Sequence, residues 1–195
     1  MQSSIALDAP PSLASLIEGG RAALFLDFDG TLVELASGPD AIEPLSDLAV
    51  RLEGLSVRLE GRCALVSGRS VSDIERHIGP VPTAVAGSHG ADIRGPNGEP
   101  IGQSATGFPP ALEAALRGYA SENAIDFERK PHGGALHYRS NPKAGPAAHE
   151  FAEKLAAEHD WAVQTGKCVV EIIPRGANKG SAVHTLMTRA PFAGA

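Results

Sequence analysis

The chain has 195 residues, of which 43% are hydrophobic and 21% charged, enough apolar material to bury the core of one domain carrying a smaller insert. Its formal net charge of −6 argues against a broad basic face, so nucleic acid is not an expected partner, and an anionic ligand would need positive charge gathered locally. The two cysteines, Cys63 and Cys168, lie in apolar runs and read as buried free thiols of a reducing compartment, not as a disulfide framework.

The opening stretch, MQSSIALDAPPSLASLIEGG, has neither a basic leader nor a long apolar run. Residues 1–21 are therefore read as an N-terminal extension, with no signal peptide or membrane span expected and the cytoplasm as the default location. Ala22-Ala23-Leu24-Phe25-Leu26 then reads as a strand apolar on both faces, as in a parallel sheet covered on both sides. It runs into Asp27 and Asp29 of DFDGT. Two carboxylates this close repel, and their desolvation is costly unless a cation lies beside them. The motif could instead cap a helix, but its emergence from a buried strand favours a metal or catalytic role.

Leu45, Leu48, Leu52, Leu55 and Leu59 fall at helical spacing, as do Val71, Ile74 and Ile78. Between and after them, RCALVSGR (62–69) and PTAVAGSHG (82–90) read as further strands ending in small and polar residues. Strand, helix, strand, helix, strand is the pattern of a parallel α/β sheet, whose ligands gather at the carboxyl ends of the strands. That edge presents Asp27, Asp29 and Thr31, then Ser67, Gly68 and Arg69, then Ser88 and His89. Ser67 could simply begin the next helix, although helix N-termini also bind phosphate.

From residue 91 the texture changes to Gly- and Pro-rich turns, then helices at ALEAALRGYASEN and GPAAHEFAEKLAAEH among the strand-like segments IDFERK, GALHYRS and WAVQTGKCVVEIIP. GANKGSAVHTLM (176–187) returns to the loop and helix of a Rossmann-like core. The expected organisation is therefore an α/β core at 22–90 and 174–195 with an α+β unit, 91–173, inserted in it. Lys179, a surface lysine by itself, would return to the rim here.

Alternation along the inserted strands puts Glu128 with Lys130, His137 with Arg139, and Lys167 with Glu171 on one side, while Cys168, Val170 and Ile172 point the other way. A solvated face would explain any one strand. Three together beside the polar rim suggest a cleft for a polyhydroxyl or phosphorylated ligand. Of the seven histidines, His77, His149, His159 and His184 read as exposed helix residues, and only His89 and His137 carry a functional expectation.

DFDGTL, SGR and NKG resemble motifs one to three of the haloacid dehalogenase superfamily phosphatases. GSHGADIR, ERK, LHYR and GKCVVEIIPRGANKGSAV resemble more narrowly the trehalose-6-phosphate phosphatase family, over about residues 22–187. The resemblance implies a parallel-sheet haloacid dehalogenase core with an inserted cap. It also implies a Mg2+-dependent phosphatase acting on a small sugar phosphate in trehalose biosynthesis. Asp27 would be the nucleophile forming an aspartyl-phosphate, Asp29 the general acid and base, and Ser67 and Lys179 phosphate clamps. Mg2+ would sit between the Asp27 carboxylate and the Asp29 backbone carbonyl. Arg69, His89, Glu128, Lys130, His137, Arg139, Lys167 and Glu171 would bind substrate or line the closed cleft. A fourth family motif, an acidic Gly-Asp-Asp cluster on the strand after the Lys179 helix, has no counterpart in these 195 residues. The resemblance thus implies an incomplete copy, short of a metal ligand and with an open edge beside the Asp27 strand. The near alternatives are another capped sugar phosphatase, of sucrose-phosphate or mannosyl-phosphoglycerate type, and a non-catalytic sugar-phosphate-binding remnant.

Overall fold

The computed structural model describes residues 11–195 apart from 19, 37–38 and 103–105, so the first ten residues of the N-terminal extension lie outside the described part. The first half of the chain runs α1 (Leu13–Glu18), β1 (Leu24–Leu26), α2 (Leu48–Arg58), β2 (Cys63–Val66), α3 (Val71–Ile78), β3 (Ala84–Gly87) and β4 (Asp92–Arg94). These strands form one sheet in the order β1-β2-β3-β4, with the first two pairings parallel and the last antiparallel.

Period-two alternation decides what each face of this sheet buries. Leu65 and Val85 pack with Leu48, Leu52, Val71 and Ile74 of α2 and α3. Ala64, Val66, Ala84 and Ala86 face the other way, toward Ala182, Leu186 and Phe192 near the C-terminus. Helices cover both faces, which is why β2 and β3 are apolar at every position and buried throughout. The expectation that β1 is equally covered is corrected: all three of its residues are only half-buried, because among the described residues β1 pairs with β2 alone. Leu45 is likewise exposed despite its helical spacing, since α2 begins three residues later. The side chain of Ser70 accepts a hydrogen bond from the Asp73 N–H at 3.1 Å and caps α3, an interaction worth about 1 kcal/mol.

The change of texture at 91 precedes the end of the first sheet. β4 pairs with β3, and the chain then folds back through Gly95–Glu99, with the Ile101 N–H donating to the Ile93 carbonyl. The antiparallel strand carries the core sheet to Arg94, four residues beyond the expected end of the first core segment at residue 90.

The inserted unit contains α4 (Pro110–Glu122), β5 (Asp126–Lys130), β6 (Gly133–His137), α5 (Gly145–Glu158), β7 (Trp161–Gly166) and β8 (Val169–Pro174), and α6 (Lys179–Met187) follows. Its four strands form an antiparallel sheet in the order β5-β6-β8-β7. Leu136, Val170 and Ile172 on one face pack against Leu112, Leu116, Ala148 and Ala152 of α4 and α5. The opposite face carries Glu128, Lys130, His137 and Glu171, the side expected from strand parity. Cys63 is buried as expected, whereas Cys168 is half-buried in the β7–β8 turn. No helix among the described residues is long and apolar enough to cross a membrane.

Candidate active site

Asp27 follows β1 directly and Ser67 follows β2. The parallel register Leu26↔Leu65 sends both out of the same end of the sheet. One Asp27 carboxylate oxygen accepts the Phe28 N–H at 2.8 Å, and the other accepts Lys179 Nζ at 2.7 Å. Lys179 reaches it because Asn178 caps α6 through a reciprocal hydrogen-bond pair with Ser181, placing the lysine at the first helical position. Asp27 and Lys179 are each 43% exposed, so a ligand can approach the pair. Ser67 is fully buried, and its hydroxyl accepts the Arg69 N–H at 3.0 Å.

Asp29 meets a different cation. The Arg69 guanidinium donates to both of its oxygens at 2.8–2.9 Å and to Asp73 at 2.7 Å. Asp73 binds Arg76, which in turn binds Asp40, so charges alternate from Asp29 to the surface. Burial opposes the charge on Arg69, but the hydrogen bonds it donates to Asp29 and Asp73 outweigh it and raise its pKa. Burial would likewise raise the Asp73 carboxyl, but Arg76 and Arg69 hold it below the usual range.

A cleft of about 790 Å³ opens between the two sheets. Its walls include Asp29, Arg69 and His89 from the core and Glu128, Lys130, His137, Arg139, Lys167 and Glu171 from the inserted unit. Every residue expected to contact substrate therefore lines one space, whereas Asp27, Ser67 and Lys179 are not among its walls. Within it, Lys130 binds Glu171 at 2.7 Å, His137 binds Glu128 at 2.8 Å, and His89 binds Glu171 at 3.2 Å. Burial pushes the Glu171 carboxyl up, but the His89 hydrogen bond and the charge of Lys130 overcome this and lower its pKa to about 2. Arg139 and Lys167 are exposed.

Two further residues were not foreseen. Gln164, on β7 directly opposite Glu171, donates to His89 Nδ1 at 2.9 Å. His132 lies 3.7 Å from Asp92 of the core. The expectation of exposed helix histidines holds for His159 and His184. It fails for His77, whose buried Nε2 lies 4.0 Å from Asp73 and has no hydrogen-bond partner among the described residues, and for His149, which is hydrogen-bonded to the Tyr138 hydroxyl at 3.0 Å. Both sit on helix flanks turned toward neighbouring elements.

The donor set at the end of β1 suits Mg2+. Asp27 offers a carboxylate, and among the described residues no hydrogen bond is donated to the Asp29 backbone carbonyl. Mg2+ takes one or two such oxygens and keeps several waters.

A sequence profile of the trehalose-phosphatase family matches residues 25–195. A probable trehalose-phosphate phosphatase of Sinorhizobium fredii is 40% identical over 175 residues, covering 88% of this chain and 66% of that protein. The C-terminal domain of Candida albicans trehalose-6-phosphate phosphatase superposes with a TM-score of 0.73 at 25% identity, covering 95% of this chain and 69% of that one. A haloacid dehalogenase-like hydrolase from Bacteroides thetaiotaomicron superposes at 0.59 with 14% identity, over 85% of this chain and 76% of that one, a likeness of fold alone. The matched family profile, together with an Asp27–Lys179 pair at the end of a parallel α/β sheet, places the chain in the trehalose-phosphatase family.

Proposed function

We propose that the chain hydrolyses trehalose 6-phosphate to trehalose and phosphate through an aspartyl-phosphate on Asp27, with Mg2+ as cofactor and the cytoplasm as its compartment. The observation that carries this reading is the Asp27–Lys179 pair at the strand end, beside a cleft walled by hydrogen-bonding side chains.

In the first step an Asp27 carboxylate oxygen attacks phosphorus, and the bond between phosphorus and the sugar oxygen breaks. Asp29 passes a proton to the departing oxygen. In the second step Asp29 takes a proton from water, whose oxygen attacks phosphorus, releasing phosphate and the free Asp27 carboxylate. Lys179 and Ser67 bind the phosphoryl oxygens, offsetting the repulsion between two anions. Bound Mg2+, held by the Asp27 carboxylate and the Asp29 carbonyl, would neutralise further phosphoryl charge. Arg69 holds both Asp29 oxygens here, so it must yield before Asp29 can donate a proton. The cleft then orients the sugar: Glu128, Lys130, Arg139, Lys167 and Glu171 offer donors and acceptors to hydroxyl groups, while His89 and His137 fix the neighbouring carboxylates.

Phosphate release from trehalose 6-phosphate, sucrose 6-phosphate, a mannosyl phosphoglycerate and a small aryl phosphate, with and without Mg2+, tests the reading. Preferential Mg2+-dependent release from trehalose 6-phosphate is expected. Preference for another sugar reassigns the substrate, and tight binding without release makes the chain a sugar-phosphate-binding protein.

A further inference from the structure

The turn after β3 is wedged between the three segments that build the site. Ser88 and His89 both adopt left-handed backbone conformations, φ +49° and +57°, which costs of order 1–3 kcal/mol for each non-glycine residue. The surroundings impose this geometry. The Ser88 N–H donates to the Arg69 carbonyl at 2.7 Å, and the His89 N–H donates to the Ser67 carbonyl at 3.0 Å. Gly90 (φ +95°) lies so close to α6 that a Cβ there would come within 2.7 Å of the Asn178 carbonyl oxygen. A Cβ on Gly68 would meet the His89 ring at 2.5 Å. The strained turn is therefore bonded to the Ser67–Arg69 loop below and packed against the N-terminus of the Lys179 helix behind.

The ring of His89 points out of this wedge into the inserted unit. Nε2 meets Glu171 at 3.2 Å and Nδ1 receives the Gln164 amide at 2.9 Å. Glu171 and Gln164 are directly opposed across β8 and β7, so one ring is gripped by a single cross-strand pair. With Gln164 donating to Nδ1, the proton rests on Nε2 and is given to Glu171. A protonated ring would keep both bonds, because the amide can turn its oxygen to Nδ1–H.

We propose that His89 and Gln164 are positioning residues that latch the cap onto the core and hold it in register with the Ser67–Arg69 loop. This rests on the proposed phosphatase reading only for its kinetic consequence. The latch occupies Glu171, whose other partner is Lys130, so both cap residues are held in place before a sugar arrives. Such preorganisation lowers the cost of binding. Among the described residues, the core and the inserted unit also meet in Arg175–Asp160 at 2.6 Å, just after β8, and in a longer ion pair, His132–Asp92 at 3.7 Å, beside the first connecting segment, where His132 Nδ1 lies 2.8 Å from the Thr106 carbonyl. Both contacts stay near the two connections whether or not the cap lifts, which leaves His89 as the contact, among the described residues, that closure makes.

The test needs no turnover. Spin labels at Glu53→Cys on α2 and Lys154→Cys on α5, both exposed, report the distance between core and cap in a Cys168→Ser background. Cys63 stays unlabelled because it is buried and burial pushes its thiol up to about 11. A single narrow distance distribution is expected with His89 intact, and a broader, longer one for His89→Ala and Gln164→Leu. His89→Gln, which keeps a donor for Glu171, should restore most of the narrow component. The imidazole nitrogen shifts of His89 should report a proton on Nε2 that loses its pattern in Gln164→Leu. Unchanged distances in both latch variants would overturn the proposal whatever the activity. If the chain turns over trehalose 6-phosphate, Gln164→Leu should raise its KM about tenfold and leave a small aryl phosphate unaffected. Equal effects on both substrates would also count against the latch.

Discussion

Lys179 Nζ lies 2.7 Å from an oxygen of Asp27, although 152 residues separate them in the chain. The pair brings a cation to the carboxylate that must approach a phosphate dianion, and it depends on the Asn178 cap that starts α6 at the lysine. Asp27→Asn should lower phosphate release from a small aryl phosphate to below about a hundredth of the wild-type rate, since an amide is a poor nucleophile. Lys179→Ala should lower kcat by about 100-fold through lost transition-state stabilisation. Retention of more than about a tenth of the rate by Asp27→Asn would exclude an aspartyl-phosphate route.

Asp73 and Arg76 belong to the same chain of charges but should differ in what their loss does. Asp73 is 22% exposed and anchors the largely buried Arg69, whereas Arg76 is 58% exposed. Asp73→Ala leaves the Arg69 guanidinium short of a partner and should cost about 1–3 kcal/mol, whereas Arg76→Ala removes a solvent-exposed partner and should change stability little. Thermal melts would register this as a fall of several degrees for the first and little change for the second; equal losses would refute the ranking.

How much of this was legible in the residues follows from what each signal depends on. The core strands could be found because burial on both faces forces unbroken apolar runs, and the Leu65 and Ala64 alternation then sorts itself between two helix layers. The walls of the cleft could be found from parity within single strands, which correctly turned Glu128, Lys130 and Glu171 to one side. Gln164 escaped because its role depends on pairing between strands. Once the two-residue turn Lys167-Cys168 is known, the register Gly166↔Val169 puts Gln164 opposite Glu171. Likewise, no local pattern could show that Arg69 would hold Asp29 or that His132 would reach Asp92, since those contacts form only when separate segments fold together.

Sugar specificity should reside in the exposed cations of the cap. Lys167 and Arg139 line the cleft, are exposed, and take part in no ion pair among the described residues, so their removal should leave stability nearly unchanged. Lys167→Ala and Arg139→Ala should each raise KM for trehalose 6-phosphate by about tenfold, with kcat/KM for a small aryl phosphate within about twofold of wild type. Parallel steady-state measurements on the two substrates would settle it. Equal losses on both would move these residues from the sugar to the phosphate.

The acid limb of stability should carry the signature of Glu171. Its carboxyl, raised by burial but held down by the His89 hydrogen bond and the charge of Lys130, is lowered from 4.5 to about 2 in the folded chain. A group whose pKa falls on folding releases its proton more readily in the native state, so the unfolded chain binds more protons between these two values. The stabilisation is therefore complete above about pH 4.5 and is lost as pH falls toward about 2. Glu171→Gln keeps the shape but cannot carry the charge, so it should melt below wild type at neutral pH. The gap should narrow as the pH is lowered from about 5 to about 3, because protonated Glu171 then resembles the glutamine. Melting temperatures of the two proteins across that range provide the measurement. A gap that stayed constant down to about pH 3 would mean that Glu171 is not held ionised by His89 and Lys130.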